Sequence, residues 1–170
     1  MHRIRPARPA EAGAISALAI RAKAHWDYTE EQLAVFRGEL TLAPDRIVPS
    51  RTHVIEEHGC LLGFYTLVAR GEGEEGREGE AELEHVFVEP SAHGRGLGSA
   101  LLRHACALAR AEGFRALVIQ SDPNAAGFYH AHGARAEGEI PSSIPGRSIP
   151  CFRLELEERA DGEREAEEES

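Results

Sequence analysis

The stretch Glu89-Pro90-Ser91-Ala92-His93-Gly94-Arg95-Gly96-Leu97-Gly98-Ser99-Ala100 decides the fold. An alternating strand runs into Pro90, glycines follow at Gly94, Gly96 and Gly98, and a helical pattern opens at Leu97. Glycine lets the backbone turn its N–H groups outward with no side chain in the way. The first N–H groups of a helix have no partner within it, and its dipole is positive at that end. Strand, glycine loop and helix start together make an anion site, best suited to phosphate oxygens. A tight turn with no ligand is the plain alternative. Two nucleotide-binding patterns fail on particular residues. A Walker loop needs Gly-Lys-Ser/Thr, and no lysine lies here. A GxGxxG fingerprint fails because the sixth position from Gly94 is Ser99 and from Gly96 is Leu101.

Upstream, residues 80–88 read as a strand with regular alternation. That predicts Glu82, Glu84, Val86 and Val88 on one face and Leu83, His85 and Phe87 on the other. Residues 52–57 and 61–69, joined at His58-Gly59, read as a hairpin. Residues 70–79 hold four glycines, four glutamates and no large apolar side chain, the composition of a mobile loop. A short strand is expected at 3–6. A helix follows from Pro9 to about Lys23, with Ile15, Leu18 and Ala19 on its apolar face. His25-Trp26-Asp27-Tyr28 breaks it. Thr29 then stands as an N-cap with Gln32 three residues on, a capping-box spacing, for a helix to about Leu40 carrying Leu33 and Phe36. A helical turn is expected at Pro44.

Downstream, residues 97–112 predict a helix with Leu101, Ala105, Leu108 and Ala109 on one side and Gly113 just past its end. Residues 115–120 predict a strand, 124–132 a short helix ending at Gly133, and 134–140 and 151–156 two more strands. The order is strand, two helices, three strands, helix, strand, helix, two strands. It predicts an α/β fold: one mixed sheet of six to seven strands flanked by helices.

The chain has 170 residues, 42% of them hydrophobic and 28% charged, enough for one core. No apolar run is long enough for a membrane span. The first residues carry positive charge with no apolar stretch behind them, so no secretory leader is expected. Cys60, Cys106 and Cys151 are far apart, with no CxxC, which points to reduced thiols and a cytoplasmic protein. Of the net charge of −10, residues 157–170 contribute −6, through eight acidic residues and two arginines. That segment is expected to be a disordered tail on a domain spanning 1–156. The remaining −4 argues against nucleic-acid and anionic-membrane partners.

His93-Gly94-Arg95-Gly96-Leu97-Gly98 resembles the signature of the GNAT acetyltransferases, Gln/Arg-x-x-Gly-x-Gly/Ala, with His93 in the Gln/Arg place. Val86-Phe87-Val88-Glu89-Pro90 is similar to the strand end that precedes it in that family. Asp122-Pro123-Asn124-Ala125-Ala126-Gly127-Phe128-Tyr129, followed by Gly133-Ala134, resembles its second motif, with Ala134 in place of a Phe. The resemblance implies acetyl-CoA as co-substrate, no metal, and transfer to the amine of a small molecule or peptide. It also admits a homodimer. It implies a pyrophosphate grip by His93, Gly94, Arg95, Gly96, Leu97, Gly98 and Ser99. Contacts to the rest of the cofactor are implied for Val86, Phe87, Val88, Asn124, Ala126, Phe128 and Tyr129.

Acyl transfer to an amine needs a base, donors for the carbonyl oxygen and a proton for the leaving thiolate. Glu84 is the first candidate base and Glu82 the second. If both enter one cleft, one carboxyl pKa must rise. Tyr129 resembles the family tyrosine that protonates the thiolate; packing on the sheet is its other reading. Asn124 either holds the pantetheine arm or caps the short helix. His85 reads as packed rather than reactive. His130 and His132, two apart on a helix, make poor metal ligands. His25, Trp26 and Tyr28 either wall the acceptor pocket or cover the core. Arg147 either pairs with an acceptor anion or lies on the surface. A non-catalytic acyl-CoA sensor, or a scaffold keeping only the fold, are the alternatives to an enzyme.

Overall fold

A computed structural model describes residues 2–70 and 79–156. Most of the glycine-rich loop expected at 70–79, and all of the acidic tail expected at 157–170, lie outside the described residues. The elements are β1 (Arg3–Pro6), α1 (Ala12–Ala24), α2 (Glu30–Leu40), β2 (His53–Glu57), β3 (Cys60–Ala69), β4 (Glu80–Val88), α3 (Leu97–Ala111), β5 (Ala116–Gln120), α4 (Ala126–Ala131), β6 (Arg135–Pro141) and β7 (Ser148–Glu155). Short 3-10 turns at Pro9–Glu11 and Pro123–Ala125 lead into α1 and α4.

Local chemistry explains the helices. Thr29 Oγ1 accepts from Gln32 N at 3.1 Å, and Gln32 Oε1 accepts from Thr29 N at 3.0 Å, so the capping box forms as the spacing requires. In α1 the buried Ile15, Leu18, Ala19 and Ala22 recur at helical spacing. Ile15, Leu18 and Ala19, together with Leu33, Phe36 and Leu40 of α2, pack on Val54, Phe64 and Phe87, which form one face of the sheet. On the other face, Leu97, Leu101, Ala105 and Ala109 of α3 and Tyr129 of α4 pack with Ile55, Leu67, Leu83 and Ile119.

The sheet has seven strands in the order β1-β2-β3-β4-β5-β7-β6. All neighbours are antiparallel except β4 and β5. That one parallel pair extends only from Glu80–Ala116 to Leu83–Ile119. Beyond it β4 stays with β3 as far as Val88, while β5 stays with β7, and Ser121 N donates to Pro150 O at 2.9 Å. The sheet therefore splits between β4 and β5. The split is what positions the site.

The alternation expected along residues 80–88 is broken. Thr66 faces His85 and Leu67 faces Leu83, so Glu84 is the extra residue of a β-bulge. Ala81 and Leu83 before the bulge, and Val86 and Val88 after it, all belong to the core on the α3 face. Phe87 belongs to the core under α1 and α2, and the His85 ring stacks on it at 5.7 Å. One inserted residue reverses the parity, so Glu82, His85 and Phe87 share a face and the Glu82/Val86/Val88 grouping does not hold. Opposite Val88, Gly63 is obligatory: a Cβ there would sit 2.7 Å from the Phe87 carbonyl oxygen.

Candidate active site

A cleft of about 890 Å³ passes through the split in the sheet. Its walls come from α3 and α4 on one face and from α1 and α2 on the other. At one end lies the glycine loop. Gly96 has φ +75 and ends the loop as the N-cap of α3, a conformation that L side chains resist. The first backbone N–H of that helix to reach a carbonyl is Ala100's, on Gly96 O at 3.1 Å. The N–H groups of Leu97, Gly98 and Ser99 are left for a ligand, as the sequence order implies. Gly94, Gly96, Leu97, Gly98 and Ser99 line the cleft. Arg95 does not: its guanidinium is paired with Glu57. His93 lines the cleft edge, and its Nε2 donates to Val88 O at 3.2 Å.

At the waist lie Val86, Phe87 and Val88. Glu89, just past the end of β4, donates its N–H to Leu62 O of β3 at 2.8 Å. Bonded residues alternate along an antiparallel ladder, so the N–H groups of Val86 and Val88 turn the other way, toward the edge that β5 has left. These are the donors available to a carbonyl oxygen in the split.

Glu82 and Glu84 both line this region, and so does His85. Glu84 is half-buried, and its carboxyl pKa is raised, by burial first and then by the charge of Glu82, with Arg46 pulling the other way. The His85 imidazole is pushed down to about 4, by burial first and then by Lys23, and it is neutral near pH 7. From the opposite face comes Tyr129, buried but lining the cleft. Burial raises its phenol pKa, and its hydroxyl has no side-chain hydrogen-bond partner among the described residues. Phe128 lines the same wall, lying 3.5 Å from where a Gly98 Cβ would stand.

The far end is a polar hub around Asp122. Lys23 Nζ lies 2.5 Å from its Oδ2, Tyr28 hydroxyl donates to it at 2.6 Å, and an Arg147 nitrogen lies at 3.5 Å. Asn124 contributes its backbone N–H at 2.8 Å and its Nδ2 at 2.9 Å. Burial works to raise the Asp122 pKa, but the hydrogen bonds from Lys23 and Tyr28 outweigh it and the carboxyl sits below its ordinary value. Arg147 is not a surface residue; its guanidinium hydrogen-bonds the Tyr28 hydroxyl and lies 4.8 Å from the ring centre. Tyr28, held between these groups, has its pKa pushed up to about 12, by burial first and then by Asp122.

The helix-cap role considered for Asn124 belongs to Asp122, whose side chain accepts from Asn124 N ahead of Pro123. Asn124 lines the cleft instead. Ala126 does not line it, though its neighbour Ala125 does. Trp26 lines it and is 37% exposed, a wall rather than a lid on the core. His25 stands behind the wall against the His93 ring at 4.9 Å, and Tyr28 behind Arg147. Sequence reasoning passed over Lys23 and Asp122. Asp122 carried a signal, since Asp before Pro marks a helix start; Lys23 carried none. Among the described residues no group of three or more His, Cys, Asp or Glu is placed to hold a metal ion. No described helix is long and apolar enough to cross a membrane.

PaiA N-acetyltransferase from Thermoplasma acidophilum, solved in complex with coenzyme A, superposes with a TM-score of 0.74 at 16% identity, covering 91% of this chain and 99% of that one. YncA from Salmonella typhimurium, solved with acetyl-CoA, gives a TM-score of 0.68 at 23% identity over 94% of this chain and 96% of that one. At such identities the likeness is one of fold. The glucosamine 6-phosphate N-acetyltransferase of Trypanosoma brucei brucei is 31% identical over 78 residues, 46% of this chain. The chain spans about half the length, 53%, of that curated relative. Residues 16–134, more than half the chain, running from within α1 through the glycine loop and past α4, match the acetyltransferase (GNAT) family, and the chain belongs to that family.

Proposed function

We propose that this protein moves the acetyl group of acetyl-CoA to the primary amine of a small acceptor by direct attack. The observation that carries the reading is the cleft through the split sheet. It has unpaired backbone N–H groups at one end, N–H groups at its waist, and both a carboxyl of raised pKa and a buried phenol in its lining. The loop N–H groups suit the pyrophosphate of acetyl-CoA, which brings an acyl group activated as a thioester. Val86 and Val88 N–H groups stabilise the negative charge that develops on the carbonyl oxygen. Glu84 takes the proton that the attacking ammonium must lose; its raised pKa makes it a better base than an ordinary glutamate. The amine nitrogen bonds the acyl carbon, the carbon–sulfur bond breaks, and Tyr129 gives its phenol proton to the departing thiolate. Its raised pKa keeps that proton in place until then. The second proton that the nitrogen loses as the amide forms restores the phenol.

The Asp122 hub favours an acceptor that carries an anionic group besides its amine. One carboxylate there serves two cations, Lys23 and Arg147, and both cations also line the cleft. Both side chains keep some exposure, so each can meet a group that enters the cleft. A phosphorylated amino sugar, the acceptor class named for the trypanosomal relative, has this chemistry. The test is an acceptor screen with acetyl-CoA, read as CoA release, comparing amino-sugar phosphates and amino acids with uncharged amines. Turnover fastest with the anionic amines is expected. Binding of acetyl-CoA with no turnover on any amine would replace the enzyme by an acyl-CoA sensor.

A further inference from the structure

We infer that His132 is a positioning residue for the pyrophosphate site, and that it takes up a proton when the phosphate arrives and thereby turns the Ser99 hydroxyl toward it. The inference rests on the acetyl-CoA reading of the glycine loop.

His132 follows α4, and its two ring nitrogens each have one partner. Nδ1 lies 2.8 Å from Phe128 O and Nε2 lies 2.8 Å from Ser99 Oγ. A carbonyl oxygen only accepts, so Nδ1 carries a hydrogen. In the neutral imidazole Nε2 is then bare, and the Ser99 hydroxyl donates its one proton to it. Ser99 lines the cleft in the first turn of α3, among N–H groups that all point outward. In this state it offers the cleft only oxygen lone pairs, which a phosphate oxygen avoids.

A second proton on His132 reverses the bond. Nε2–H donates to Ser99 Oγ, and the hydroxyl proton is freed for the phosphate. One proton enters from solvent and no covalent bond to carbon changes. The surroundings suit an imidazolium that has a bound anion as its counter-charge. The Phe128 ring lies 4.5 Å from the His132 ring, close enough for a cation–π contribution. The neighbouring elements hold other titratable groups: Arg103, His104, Cys106 and Arg110 on α3, and Tyr129 and His130 on α4. None of these is in hydrogen-bond or ion-pair contact with His132 among the described residues. Arg135, at the start of β6, is spent on Glu137 and Glu155. Anion binding and protonation of His132 thus favour each other.

Calorimetry of CoA binding to the full chain, in two buffers of equal pH and different ionisation enthalpy, counts the protons taken up. The parent should take up part of a proton per site near neutral pH, and its CoA affinity should fall as pH rises, by at most about tenfold per pH unit for one linked proton. Ser99→Ala and His132→Gln should each bind CoA more weakly and lose that uptake, keeping only the pH slope of CoA's own phosphates. Imidazole 15N resonances supply a second readout: the Nδ1–H neutral form in the free protein, the doubly protonated form with CoA. CoA binding with the same proton uptake in Ser99→Ala as in the parent overturns this inference alone. No CoA binding by the parent overturns the transferase reading and this inference with it.

Discussion

Glu84 Oε2 lies 4.0 Å from His85 Nε2, although adjacent residues of a regular strand point to opposite faces. The bulge in β4 makes the juxtaposition. It places a neutral imidazole beside the Glu84 carboxyl, which also feels the charge of Glu82. A group with a charged neighbour and little water is where a carboxylate becomes a working base.

The base leads to a prediction about pH. The rate should rise with pH as Glu84 loses its proton, with a midpoint above the ordinary glutamate value because its pKa is raised. Glu84→Gln should remove that acid limb and lower kcat/KM by about 10²- to 10⁴-fold. Glu82→Gln removes the like charge that helps hold the pKa up, so the limb should move to lower pH with much smaller loss of rate. A parental profile in both variants would place the base elsewhere.

Tyr129→Phe should slow turnover while leaving CoA affinity nearly intact. The ring packs in the core on Phe152 and Phe128, and its hydroxyl has no side-chain partner to lose. Thermal denaturation should show little change, and pre-steady-state kinetics should locate the loss after CoA binding. A Phe variant as active as the parent would make Tyr129 a packing residue only.

Two glycines of the loop should fail for different reasons. A Cβ at Gly96 meets nothing within 4 Å, but φ +75 opposes it, at a cost of roughly 1–2 kcal/mol. Gly96→Ala should therefore rotate the loop N–H groups and weaken CoA by about tenfold. At Gly98 the φ is ordinary and the Cβ lies in van der Waals contact with Phe128 and Val88. Gly98→Ala should be tolerated. Gly98→Val should press on Phe128 and lose CoA affinity. Equal affinity for parent and Gly98→Val, measured by calorimetry, would contradict this packing.

Asp122→Asn should cost about 3 kcal/mol of folding stability, because Lys23 and Arg147 lose the one carboxylate they share. The Asp122 pKa is lowered in the folded state, so its contribution is complete above the ordinary aspartate value and is lost as pH falls through the lowered one. Chemical denaturation as a function of pH should show the difference between parent and variant largest at pH 7 and shrinking steadily as pH falls below the ordinary aspartate value. Lys23→Gln and Arg147→Gln should raise KM for an anionic acceptor more than for a neutral one.

Short-range chemistry was legible along the chain. The Thr29–Gln32 capping box, the apolar stripe of α1, the glycine loop between β4 and α3, and the limits of β4 itself all rest on residues within a few positions of one another. The stripe repeats every 3.6 residues, a cap reaches three, and a glycine turn is complete in six, so the order of elements follows from sequence alone. The open N–H groups at the start of α3 were readable for the same reason.

What tertiary structure alone decided are the relationships across the chain. The bulge at Glu84 exists only because β3 pairs with β4 in a register that leaves one residue over, and no local pattern shows a pairing partner's register. The gap between β4 and β5 depends on β7 drawing β5 away. Asp122 meets Lys23 and Tyr28 across 99 and 94 residues. Such contacts form because the sheet brings distant segments to one edge and burial then makes every unpaired charge costly. Composition and periodicity carry no record of which charges are brought together.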